Sequence, residues 1–152
     1  MPKLDLPALP ALPVRSGSGY LPPFDGPVLA RSWRAVAAAG SLCQFGANLV
    51  TLESGAWSSQ RHWHTHEDEM LVMLVGEAVL VEENAETLLT PGDIACFPAG
   101  VANGHHLQNR SALPCQFLAI GTDQPDIDEC HYPDIDMHLD PSGFRRKSGP
   151  AA

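Results

Sequence analysis

The sequence has no Cys-x-x-Cys pair, no apolar run of membrane-spanning length and no excess of basic charge, and each absence excludes a class of function. Its four cysteines, Cys43, Cys96, Cys115 and Cys130, lie far apart, mostly in apolar or alternating segments. They read as reduced, mainly buried thiols of a cytoplasmic protein, not as a disulfide framework or redox motif. Nine Lys and Arg against 18 Asp and Glu leave a formal charge of −9. A phosphate backbone or an anionic bilayer is repelled on average, so neither nucleic acid nor a membrane is expected as a partner. The opening MPKLDLPALPALP carries Pro every few residues and no basic-then-apolar leader pattern. No Ser-His-Asp order, phosphate-cradling glycine loop, dinucleotide fingerprint or fixed-period repeat is present. Charged residues make up 18% of the chain, below the roughly 25% of ordinary soluble domains. The polar chemistry is therefore concentrated.

What the chain does have is punctuation. Thirteen Gly and 14 Pro in 152 residues separate short apolar runs and leave little room for long helices, a pattern that favours β structure. The length suits one domain with a sizeable core. Strands are expected at 42–52, 58–64, 69–75, 77–83, 86–89, 94–97, 104–109 and 114–120, which suggests an all-β sandwich or barrel. Gly76 and Thr90-Pro91-Gly92-Asp93 supply bends. Residues 28–39 (VLARSWRAVAAA) suit either a helix or an edge strand. Around the domain at 27–122, residues 1–26 read as an extended Pro- and Gly-rich arm. Residues 123–152 read as an acidic-then-basic tail that packs on the barrel or on a partner subunit. Strand 69–75 is apolar on both alternation sets, so both of its faces are expected to be buried. The arm, the tail or a second copy, as in a homodimer, could supply the cover.

Five of the seven histidines form two clusters, His62, His64 and His66 in RHWHTHEDE and His105 and His106 in NGHHLQN. Side chains two apart on a strand share a face, so His62 and His64 can aim two imidazoles into one cavity. A turn over Thr65–Asp68 would return the chain and set Glu69 beside them. Two imidazoles and a carboxylate on one side suit a divalent transition metal with open positions. His66 shares that parity and could replace His62 in a His64-x-His66-x-x-Glu69 set; otherwise it is a rim residue.

The stretch GAWSSQRHWHTHEDEMLVMLVG, Gly55 to Gly76, resembles the first motif of the cupin superfamily: a glycine, His-x-His, a glutamate and a glycine. GDIACFPAG at 92–100 followed by HHLQN at 105–109 resembles the second. The first motif departs by one extra residue between Gly55 and His62. In the second, Asn103 stands where the family usually has its histidine, and His105 restores the spacing to Asn109, with His106 as competitor. The tail from Asp126 to Gly149 is similar to that of small bacterial single-domain cupins. The resemblance covers roughly residues 41–121. It implies an antiparallel double-stranded β-helix, the cupin or jelly-roll barrel, and a metal held by His62, His64, Glu69 and His105. The ion would be iron, manganese, nickel or zinc. The activity implied is that of a metal-dependent dioxygenase or isomerase acting on a small oxygen-rich organic acid or sugar derivative. A non-catalytic, small-ligand-binding or regulatory cupin is the alternative.

Other residues receive plainer readings. Asn109 is expected to pin local backbone. Trp57, Phe45, Phe97 and Phe117 are candidates for barrel lining, and Gln60 for an inward polar group near the metal. Glu67 and Asp68 read as solvated turn residues, and Cys96 and Cys115 as packing residues. His131 and His138 stand in no spacing relation to a carboxylate that suggests a site.

Overall fold

The computed structural model describes residues 3–4 and 12–149; the parts of the arm at 1–2 and 5–11 and of the tail at 150–152 lie outside the described residues. The strands are β1 (Arg15–Ser16), β2 (Arg31–Ala35), β3 (Phe45–Leu52), β4 (Trp63–His64), β5 (Glu69–Val75), β6 (Ala78–Val81), β7 (Glu86–Leu89), β8 (Ile94–Phe97), β9 (His106–Gln108), β10 (Cys115–Thr122), β11 (Cys130–His131), β12 (His138–Asp140) and β13 (Gly143–Arg145). They form a six-stranded sheet β1-β2-β3-β10-β5-β8, a three-stranded sheet β7-β6-β9 and a four-stranded sheet β13-β12-β11-β4. The pairings are antiparallel. This is the expected all-β jelly-roll class. No helix among the described residues is long and apolar enough to cross a membrane.

Alternation along the large sheet builds the core. Trp33, Val50, Phe117 and Met73 stand opposite one another across β2, β3, β10 and β5, and Leu71 sits between Ala119 and Ala95 one step along. These side chains meet Ala78 and Leu80 of β6, Leu89 of β7 and Leu107 of β9 in one cluster. Met73 and Leu52 are completely buried. Residues 28–39, compatible with helix or strand, divide between the two as β2 and then a single turn, α1 (Val36–Ala39). The expected strand 58–64 shrinks to β4, with an isolated bridge pairing His62 to His105. Its early residues spend their hydrogen bonds elsewhere: the Ser58 Oγ accepts from the Leu107 N–H and the Gln60 N–H donates to the Tyr20 hydroxyl. Gly76 turns the chain at φ +70°, and a Cβ there would lie 2.9 Å from the Pro114 carbonyl oxygen. Only glycine fits.

Three expectations need correction. The register of β10 against β5 slips at Gln116/Phe117, so Gln116 faces Val75 while Phe117 faces Met73. Val75 leaves the inward row and is exposed. The outward row of β5 is not fully covered: Met70 and Val72 are half-buried and Leu74 is 43% exposed. Among the described residues the arm and tail do not supply that cover; they pack on each other, and the tail also pairs with β4 through β11. Tyr20, Leu21 and Phe24 join Cys130, Tyr132, Met137 and Phe144 in a second core, with the Tyr20 ring edge-on to Tyr132 and Phe144. Phe45 and Cys96, expected inside, are exposed because they lie on the sheet face opposite the core row: Cys96 is paired with Met70, and Phe45 with Thr122, which shares parity with Ile120.

Cys43 and Cys96 are exposed, whereas Cys115 and Cys130 are buried. Burial pushes the Cys115 thiol up to about 11 and Cys130 further still, and thiols react as thiolates. Titration of the native protein with a chromogenic disulfide should therefore label at most Cys43 and Cys96 rapidly, and all four only after unfolding. Rapid labelling of all four in the native state would contradict this packing.

Candidate metal centre

Glu69 begins β5 with its side chain inward, opposite Phe97 of β8 and Gly121 of β10. Its Oε2 lies 2.8 Å from His105 Nε2, 3.5 Å from His62 Nε2 and 3.6 Å from His64 Nε2. The His62–His105 bridge supplies two of the imidazoles from paired backbone, and β4 supplies the third. The four residues that the sequence singles out thus converge on one oxygen. Bonds of about 2.1 Å around a transition ion put neighbouring donors about 3–3.5 Å apart, close to the Glu69–His spacings; the ligand atoms of His62, Glu69 and His105 all lie within 4.8 Å of one another, and His64 meets that group at Glu69.

The far side of each ring is also satisfied. His62 Nδ1 donates to the Gln60 carbonyl at 2.9 Å, and His64 Nδ1 to Asp128 Oδ2 at 2.6 Å. His105 Nδ1 faces the Asn103 carbonyl at 3.3 Å. With a proton held on each Nδ1, the Nε2 atoms, which as N–H groups can hydrogen-bond to Glu69, would give up that proton to coordinate an ion. The donor chemistry therefore fits a divalent ion. Burial by itself would raise the Glu69 pKa, but hydrogen bonds from His105 and His62 outweigh it and hold the carboxylate well below its usual range. Burial pulls His105 down and prevails over its bond to Glu69. For His62 burial again pulls down, yet the Glu69 hydrogen bond and charge overcome it and raise the pKa.

Neighbouring residues divide into those that join the site and those that do not. His106 points elsewhere, with Nδ1 2.8 Å from the Ser59 carbonyl, Nε2 3.0 Å from the Gln108 amide and its ring edge-on to Trp57. It does not approach Glu69 as His105 does. His66 is exposed, with Nδ1 against the Thr65 hydroxyl. Gln60 is buried, but its side-chain amide donates to the Phe24 carbonyl in the arm. Only its main-chain oxygen touches the centre, because its side-chain amide is taken up tethering the arm. Glu67 and Asp68 are not merely solvated: each accepts a backbone N–H, from Gln124 and Ala99, and so ties the turn to its neighbours. Phe97 stacks face to face on His105 at 3.5 Å.

The tail holds what the sequence did not reveal. Asp128 orients His64 and also accepts the His66 N–H. The buried Cys130 places its sulfur beside His62 and His64. Pairing of β11 with β12 sets His131 against His138, and both Nε2 atoms come near Glu129 Oε2, at 3.7 and 3.4 Å. Cross-strand register, invisible as linear spacing, makes this second cluster. A cavity of about 280 Å³ opens beside the centre, lined by His62, Glu69, His105, Phe97, Leu71 and Phe117 among others, and by Tyr20 of the arm and Arg31 of β2. The arm therefore forms part of the cavity's wall.

A cupin-domain family model matches residues 48–121. Among solved structures, a sugar phosphate isomerase of the cupin superfamily from Silicibacter pomeroyi is 42% identical, with 99% of this chain and 97% of that one aligned at a TM-score of 0.89. A protein from Acidithiobacillus ferrooxidans, provisionally assigned as a sugar phosphate isomerase, is 28% identical over 76% of this chain and 74% of that one, at a TM-score of 0.70. A Thermus thermophilus protein is 26% identical over 82% of this chain and 100% of that one, at 0.58. No curated protein matches the chain.

Asn109 has a structural part to play. It is buried; its amide donates to the Leu52 and Leu113 carbonyls and its oxygen accepts from Ser111. Asn109→Ala strands these buried groups, and the expected cost in denaturant unfolding is about 1–3 kcal/mol. A variant as stable as wild type would contradict the assignment.

Proposed function

Since the chain belongs to the cupin superfamily, we propose that His62, His64, Glu69 and His105 hold one divalent transition metal and that the cavity beside it carries out an isomerase reaction on a small, oxygen-rich sugar derivative. The convergence of three imidazole nitrogens on the Glu69 oxygen carries the reading. The similarity to a protein named as a sugar phosphate isomerase favours isomerisation over oxygen chemistry. Such a reaction moves hydrogen between adjacent carbons and oxygens and needs no external oxidant.

When bound, the ion supplies Lewis acidity that polarises a substrate carbonyl or hydroxyl oxygen. The chain supplies the rest. Asp128, the Gln60 carbonyl and the Asn103 carbonyl fix the three rings in rotation. Phe97, Leu71, Phe117 and Val50 form an apolar wall that limits water. Burial pushes the Tyr20 hydroxyl pKa up, so it stays protonated at neutral pH and can donate to a ligand oxygen. Iron, manganese, nickel and zinc all accept this donor set. With its cysteines free, a cytoplasmic setting fits.

Incubating the metal-loaded protein with a panel of aldose and ketose phosphates in D2O should exchange deuterium next to the carbonyl, followed by proton NMR, and chelation should stop it. Saturable binding with neither exchange nor aldose–ketose interconversion would leave a ligand-binding barrel, and oxygen uptake would point to a dioxygenase. Asp128→Ala should weaken metal affinity about 10–100-fold, the usual effect of removing a histidine-orienting carboxylate; unchanged affinity would contradict its part in the site.

We further propose that the outer face of β5, β8 and β10 docks a second copy of this chain. Val72 stands between Ile94 and Leu118, and Met70 between Cys96 and Ile120. This gives a continuous apolar strip of a kind that stable monomers seldom leave in water. Light scattering should give twice the 16.3 kDa chain mass, and Val72→Glu should return it to one. A wild-type monomer at micromolar concentration would refute the dimer.

A further inference from the structure

Arg31 is an anomaly of charge. It lies in β2 with its side chain on the inward face, in line with Leu52 and Cys115, and it lines the same cavity as Glu69 and His105. Arg61, Arg110, Arg145 and Arg146 each reach a carboxylate; among the described residues Arg15 and Arg34 do not, but Arg15 is exposed and Arg34 stands on the other face of β2 from Trp33 and Arg31. Among the described residues Arg31 reaches none within ion-pair distance. Its Nη1 donates to the Ser58 carbonyl and its Nη2 to the Gly17 carbonyl at 2.9 Å, while its Nε is buried without a partner. A guanidinium has five N–H donors, so several are unused. The Trp33 ring lies 5.0 Å from its carbon. The backbone contacts explain how the arm is tied to β2 but leave the positive charge uncompensated in a partly desolvated place, where burial already lowers its pKa. An unpaired, half-buried cation is costly.

We infer that Arg31 forms an oxyanion subsite of the cavity, which receives the phosphate or carboxylate group of the ligand while the histidine centre holds its reacting end. The cavity wall supports this division. Its one carboxylate, Glu69, is engaged by imidazoles, whereas Arg31 and the Asn48 amide line the cavity from β2 and β3. The ~280 Å³ volume accommodates a molecule of a few carbons bearing one such group. The planar fork of arginine is suited to pairing with both oxygens of an oxyanion. This inference rests on the reading of the cavity as a ligand site.

The test titrates inorganic phosphate and acetate, in parallel, into wild type and Arg31→Gln by calorimetry, with metal content measured on the same samples. The glutamine amide nitrogen ends near the place of the Arg31 Nε, so the Ser58 and Gly17 bonds are lost with the charge, and the variant is compared only if its circular dichroism matches wild type. At least one anion should saturate wild type, with an affinity lowered tenfold or more in Arg31→Gln while metal content stays equal; the tighter of the two identifies phosphate or carboxylate as the preferred group. If the variant fails to fold, Arg31→Lys identifies the Arg31 Nε–H resonance by its disappearance in nitrogen-15 NMR, and in wild type that resonance should shift with the bound anion. Anion affinity equal in wild type and Arg31→Gln, no saturable binding of either anion, or an unmoved Nε–H would overturn the inference. Arg31-dependent anion binding in a protein that takes up no metal would instead refute the metal reading and leave the subsite standing.

Discussion

A carboxylate drawn out of water needs compensation, and at Glu69 the compensation comes from three imidazoles, His64 of β4 and the bridged pair His62 and His105. The rest of the structure serves that requirement. Strand β5 must enter with Glu69 inward, which fixes the parity of Leu71 and Met73 as core residues. A slip of one residue in that register would turn the carboxylate and the core row outward together. The glycine turn at Gly76 and the pairing with β10 on one side and β8 on the other hold the register in place.

The centre is also where arm and tail become part of the domain. Asp128, beyond the last long strand, orients His64; Gln60, beside the centre, ties its amide to Phe24 in the arm. The arm and tail share a second core around Tyr132 and Met137. The Arg61 guanidinium pairs with Asp134 of the tail and Glu83 after β6, fastening the tail across the strand that carries the histidines. Rigid supports of this kind hold ligand rings in place before any ion arrives, so that binding does not have to order them.

Much of this was legible in the linear sequence, for a simple reason. Period-two alternation and glycine or proline bends give both the strands and the inward face, so Glu69, His62 and His64 could be placed together without coordinates. His105 came from the resemblance to the second cupin motif, whose spacing to Asn109 it restores, with His106 left as competitor. What stayed hidden depends on pairings between distant segments. Asp128 reads as one acid among many in an acidic tail, and only the pairing of β11 with β4 brings it to His64. His131 and His138 meet through a hairpin register. The exposure of Phe45 and Cys96 follows from which sheet face the domain buries, a choice that apolar composition alone does not make. Arg31 looked like an ordinary basic residue in an ambiguous segment until β2 took its place beside β3.

The central claim is that these three imidazoles and one carboxylate form a single metal site. Its most direct test is elemental analysis of untagged protein prepared without chelator, alongside His62→Ala and His105→Ala. The account predicts close to one transition ion per wild-type chain, lost in both variants while the fold persists by circular dichroism. A wild-type chain without metal even after reconstitution with iron, manganese, nickel or zinc, or one whose metal survives both substitutions, would contradict it.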